Sequence, residues 1–205
     1  EIHWRDWSSD VCSSDLVPTP SVEPPAPTPH EDWLGLAQAA VVGKHWREPA
    51  EGSLAVALTN LAIAEPGNAA IAKLRQQAAD DILPGAIASL ERRKWTEAAE
   101  GFRDLVAVWP EHPEARTGLA DALFGQARIL KRHKDHAAVL ATADELLNVS
   151  PGDFRALMLR AESLMALRRY GEAKDAYGEA RKQKPRNKDV AKGFWKAAAL
   201  ARKDG

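Results

Sequence analysis

The sequence predicts an all-α fold, built as a stack of antiparallel helical hairpins closed by a terminal helix. Three observations predict it. From residue 32 onward, small and apolar residues recur three and four positions apart, and the breaks fall at proline or glycine. No stretch sustains the apolar–polar alternation of a strand. Two proline-closed segments, WTEAAEGFRDLVAVWP and YGEAKDAYGEARKQKP, repeat one another, as the units of a solenoid do.

The helical pattern gives the elements in order. A first helix is expected over 32–44 and a second over 53–64, ended by Glu65-Pro66-Gly67-Asn68. A long third helix over 68–92 contains Pro84. Proline removes a backbone donor and clashes with the preceding turn, so Pro84 either kinks this helix or opens a new one. A fourth helix covers 95–109 and stops at Pro110. Helices over 113–131, 135–149, 153–167 and 170–184 follow, and a helix over 188–203 caps the stack. Abundant alanine suits helices that pack closely.

Upstream of the helices the character changes. Residues 1–16, EIHWRDWSSDVCSSDL, show no periodicity and resemble the conceptual translation of a short-read sequencing adapter, so they are set aside as non-native. The single cysteine, Cys12, lies there. The remainder therefore has no disulfide framework, thiol nucleophile or thiolate metal site. Residues 17–30 are rich in proline and read as an extended spacer rather than a docking motif, since no basic residue flanks the prolines. A spacer implies something to space from. The chain is thus expected to begin within a longer protein, with room upstream for a membrane tether or another domain. That sets it on the cytoplasmic or periplasmic side of a bacterial envelope without choosing between them.

The repeat has a recognisable form. Glu97-Ala98 and Glu172-Ala173 are each followed by an aromatic four residues after the alanine, Phe102 and Tyr177, and then by Pro110 and Pro185. Pro151 and Pro185 stand 34 residues apart. These residues and this spacing resemble the tetratricopeptide repeat family. The resemblance implies a right-handed α-solenoid in which small residues at Ala86, Ala98, Ala161 and Ala173 let helices approach. The aromatics would fill the gap between hairpins. It divides residues 31–205 into a degenerate repeat over 31–66, clearer repeats over 79–112, 113–151 and 152–185, and the cap. The middle repeat is longer, with 41 residues between Pro110 and Pro151, and the excess is expected near ARILKRHKDH. It carries Val139 and Ala143 where a small residue and an aromatic are usual.

Composition and motifs point away from chemistry. A net charge of -1 excludes a chain built as a polycation or polyanion binder. Sequence signatures of phosphate-binding loops, dinucleotide folds, serine hydrolases and zinc proteases are absent. His133, Asp135 and His136 lack a third ligand at useful spacing and read as a solvated turn. The pairs Glu97/Glu100 and Asp80/Asp81 read as solvated helix faces. No metal, cofactor or catalytic residue is expected, nor a membrane span. Residues 181–203 carry nine lysines and arginines against the single acid Asp189, a bias that could serve nucleic acid or an anionic membrane. Without aromatic interleaving it reads as the polar face of the cap, and no nucleic-acid partner is expected. Trp33, Trp46 and Trp195 read as core or cap residues, and Trp95 and Trp109 as packing between hairpins.

The resemblance implies a concave face lined by the first helix of each hairpin. Here that face would carry Asp80, Leu83, Ile87 and Leu90, then Thr117, Asp121 and Phe124, then Arg155, Met158, Glu162 and Met165. It mixes apolar residues with scattered acids. The expected function is a protein–protein interaction module whose partner presents an apolar, partly basic segment. Leu83 and Ile87 stand where a clamp for a C-terminal carboxylate would begin, which argues against that mode. The alternatives are a regulatory or docking region of a larger membrane-tethered signalling or envelope-assembly protein, and a self-assembling scaffold.

Overall fold

The computed structural model describes residues 32–204. The readings of residues 1–16 and 17–30 fall outside the described residues. The helices are α1 (Trp33–Gly43), α2 (Leu54–Ala64), α3 (Ala69–Glu91), α4 (Trp95–Val108), α5 (Pro113–Arg132), α6 (His136–Val149), α7 (Phe154–Ala166), α8 (Tyr170–Gln183) and α9 (Lys188–Asp204). Each packs on the next in sequence, and α1, α3, α5, α7 and α9 also touch in succession. This is an all-α helical-repeat solenoid, as the periodicity predicts.

Two turn types alternate because the chain must reverse twice per repeat. Within a hairpin the helix ends on one residue in the left-handed region: Arg93 (φ 59), Lys134 (φ 60) and Arg168 (φ 60). The next amide reaches back five residues, Lys94 N–H to Ser89 O at 2.9 Å, Asp135 to Leu130 at 3.2 Å and Arg169 to Leu164 at 2.9 Å. These are Schellman closures, which usually place glycine at the left-handed position. Between hairpins a proline turn closes with an amide donating three residues back, as in His112 to Trp109 and Asp153 to Ser150, both at 3.1 Å. The last turn residue then caps the following helix. Asp153 accepts from Arg155 N and Ala156 N, and Asn68 and His112 cap α3 and α5.

Pro84 lies inside α3, which continues through it as one helix. The ring faces solvent, while Ala78, Ala79, Ile82 and Ala86 are buried on the opposite side. Burial of that face holds the helix across the missing hydrogen bond, so tertiary packing overrides the local penalty. The extra length of the middle repeat is taken by the helix, since α5 runs 20 residues and its turn into α6 is as short as the others.

The joints between hairpins share one device. A Cβ on Gly118 would stand 2.3 Å from the Phe102 ring, and one on Gly193 would stand 2.4 Å from the Tyr177 ring. Each aromatic on a second helix therefore sits in a glycine notch on the next first helix. At the joint between α6 and α7 the sizes are exchanged. Ala143 holds the aromatic's position and Leu159 the glycine's, and the two are buried in one cluster with Ala127 and Val139. The summed volume is kept roughly constant, which a close-packed interior requires.

Ion pairs add a second line of contact. Arg47, in the segment joining α1 to α2, donates to Glu100 at 2.9 Å and Asp104 at 3.1 Å on α4. Arg103 then reaches Glu145 on α6 through two bonds of 2.6 and 2.9 Å. Desolvation raises the Asp104 carboxyl above its ordinary value, against the lowering pull of Arg47. At the N-terminal end, α1 and α2 contain no charged residue and leave Val42 (86% exposed) and Ile63 (66%) in solvent. Among the described residues no helix is long and apolar enough to cross a membrane.

Candidate interaction groove

A cavity of about 690 Å³ opens between α5 and α7, large enough for several side chains of a bound segment. Its floor is apolar: Phe124 and Ile129 from α5, Met158 and Leu159 from α7. Trp95, at the start of α4, closes one side. It can approach because Gly125 carries no side chain; a Cβ there would lie 2.3 Å from the indole. A smaller cavity of about 360 Å³ continues past Arg93 and Trp95 and is lined by Gln126. Gln126 Oε1 is buried and finds no donor among the described residues.

The rim is cationic. Arg93 arrives from the left-handed turn after α3, and Arg128, Lys131 and Arg132 come from the last turns of α5. Arg155 stands at the start of α7. Two ion pairs brace the walls. Arg155 donates to Asp121 at 3.1 Å while also bonding Asp153 at 2.9 Å, and its guanidinium lies 4.9 Å from the centre of the Phe124 ring. Lys131 pairs with Glu162. Arg93, Arg128 and Arg132 have no acidic partner among the described residues. Burial pushes the Asp153 carboxyl up, but bonds from the Arg155 guanidinium and the Arg155 and Ala156 amides outweigh it and hold the group below its ordinary value.

Of the expected face, the groove brings together Phe124, Arg155, Met158 and Glu162. The others lie elsewhere. Leu83, Ile87 and Leu90 are half-buried against the larger core, and Met165 against the C-terminal core. Thr117 is exposed and its hydroxyl donates to Pro113 O at 2.8 Å. Asp121 is engaged by Arg155. Asp121 and Glu162 are each paired with a cation across α5 and α7, while Arg93, Arg128 and Arg132 of the groove lining are not paired with an acid among the described residues. The residues missed, Arg93, Arg128 and Arg132, had a signal. Continuing the face from Phe124 by four residues at a time gives Arg128 and Arg132.

The remaining candidates serve the fold. Asp135 caps α6 by accepting from Ala138 N at 3.0 Å, and His133 is exposed at the end of α5. Glu97 pairs with Lys94, and Glu100 with Arg47 and Arg103. Trp195 lies on the capping helix α9 and is 61% exposed.

Two solved structures are similar in fold. One is the C-terminal TPR-containing domain of an FK506-binding protein from Plasmodium falciparum, at 16% identity over 64% of this chain and 93% of that one, with a TM-score of 0.44. The other is the first TPR of Spaghetti (RPAP3) bound to HSP90 peptide SRMEEVD, at 21% identity over 61% of this chain and 94% of that one, with a TM-score of 0.41. No protein-family model and no curated protein matches the chain.

Proposed function

We propose that this chain is a protein-interaction module that receives an acidic partner segment with an apolar anchor in the groove between α5 and α7. The observation that carries the reading is one juxtaposition. Three arginines without acidic partners among the described residues, Arg93, Arg128 and Arg132, surround a floor of Phe124 and Met158 walled by Trp95. Guanidiniums bind carboxylates through paired donors, and a thioether beside aromatic rings adapts to differently shaped anchors. The partner's charge is thus opposite to the one expected from sequence.

The test is peptide selection on the intact chain from a random display library. Enriched sequences are expected to combine Asp or Glu with Leu, Phe or Trp, and to weaken as salt rises. Reversing Arg128 and Arg132 to glutamate is expected to weaken the selected peptides about tenfold or more. Selection of basic peptides, or of the same peptides by the reversed variant, would refute the proposal.

A further inference from the structure

We infer that the outer face of α9 docks on an anionic lipid bilayer, a surface separate from the groove. α9 is held to the stack by Val190, Ala197 and the Gly193 notch over Tyr177. These lie on one side of the helix. At about 100° per residue, Lys188, Lys192, Trp195, Lys196, Ala199 and Lys203 share the opposite side within a narrow arc. All six are exposed, and Trp195 is 61% exposed at the middle of the row. Phe194 packs against it in a T-shaped arrangement with ring centres 5.3 Å apart, and the Arg181 guanidinium lies 5.3 Å from the centre of the Phe194 ring. The indole is therefore braced by Phe194 and open to solvent.

None of the four lysines in the row pairs with an acid among the described residues. Asp189 and Asp204 are the acids of the helix. A tryptophan alongside a row of unpaired lysines fits a headgroup layer: the amphipathic ring settles at the interface and each ammonium reaches an anionic lipid. A bilayer also matches the shape, since the row runs along one convex helix. A nucleic-acid strand needs a groove with several stacking rings, and this face offers one. Lysine, a compact charge without a planar fork, suits a crowd of phosphates and carboxylates better than the reading of base edges.

The experiment is co-sedimentation of the full chain with vesicles of phosphatidylcholine alone or mixed with phosphatidylserine. Binding is expected only with phosphatidylserine, and is expected to fall as salt rises. Each near-surface lysine contributes about a fivefold factor, so losing two of them in Lys192→Glu with Lys196→Glu should lower partitioning by at least about twenty-five-fold, and the two added carboxylates lower it further. Both positions are exposed, and unchanged far-UV circular dichroism would exclude misfolding. Brominated lipid should quench wild-type fluorescence, and quenching should drop in Trp195→Phe. No binding overturns the inference, as does binding indifferent to phosphatidylserine or to the lysine reversal. Binding abolished instead by Arg128→Glu with Arg132→Glu would transfer the contact to the groove and overturn it too. Retention by a single-stranded oligonucleotide but not by vesicles would reassign the face to nucleic acid.

Discussion

Exchanging Phe102 and Gly118 for the pair found one repeat later tests the joint between hairpins directly. Phe102 is 1% exposed, so Phe102→Ala removes a full ring from a close-packed site and is expected to cost about 3–5 kcal/mol. Gly118→Leu places a Cβ where only 2.3 Å separates it from the Phe102 ring. Ordinary carbon contact needs about 3.5 Å, so the ring must move by about 1 Å. Overpacking of this kind costs about 1–3 kcal/mol, less the gain of about 0.8 kcal/mol for replacing a helical glycine. If the two effects were independent, the double variant would lose roughly their sum. It instead recreates the buried Ala143 and Leu159 pairing of the α6–α7 joint. The leucine fills the space the ring vacated, and the loss should shrink to about 1–2 kcal/mol, a coupling of about 2–5 kcal/mol. Guanidinium unfolding of all four forms, followed by helicity and tryptophan fluorescence, measures this cycle. Because solenoids can unfold from one end, both probes must agree before the energies are compared. Additive losses would show that the notch does not set the joint, and that Leu159 compensates for something other than the missing aromatic.

The other predictions concern turns, caps and the groove wall. Lys134→Gly should stabilise the chain by up to about 1 kcal/mol, since the lysine holds φ 60 where glycine is unstrained; a lower unfolding midpoint would contradict this. Asp153→Ala should cost about 1 kcal/mol at neutral pH through loss of the α7 cap. The Asp153 carboxyl lies below its ordinary value in the fold, so its contribution is present above the ordinary carboxyl range. That contribution is lost as pH falls through the folded value. The gap between wild type and Asp153→Ala should therefore close on acidification, and a gap that widens would contradict the assignment. Gly125→Ala should push Trp95 out of its position, shift its emission and weaken any groove-bound peptide, at a cost of about 1–3 kcal/mol in stability. Unchanged emission and affinity would show that the indole does not wall the groove.

The groove was only half legible in the sequence, and particular residues show why. Phe124, Arg155, Met158 and Glu162 follow from the repeat's face, because that face is fixed by helical spacing. Arg93 comes from the turn of the preceding hairpin and Trp95 from the start of α4, and only the stacking of α5 beside them brings them in. Leu83, Ile87 and Leu90 obey the same face rule, yet packing against neighbouring helices takes them up. Asp121 and Glu162 read as free acids until α7 is placed beside α5, which brings Arg155 of α7 to Asp121 and Lys131 of α5 to Glu162.

The sequence by itself determined the helices, their order and the proline turns, because periodicity and backbone chemistry are local. It also held the 16-residue spacing that links Phe102 to Gly118, Ala143 to Leu159 and Tyr177 to Gly193. Tertiary structure alone decided that α3 runs through Pro84, that the groove's free charge is positive and that Trp195 faces solvent. Each of these depends on which side chains from distant positions meet across two helices. Helical spacing gives the face on which a side chain stands, but only packing shows whether a neighbouring helix covers it or pairs its charge.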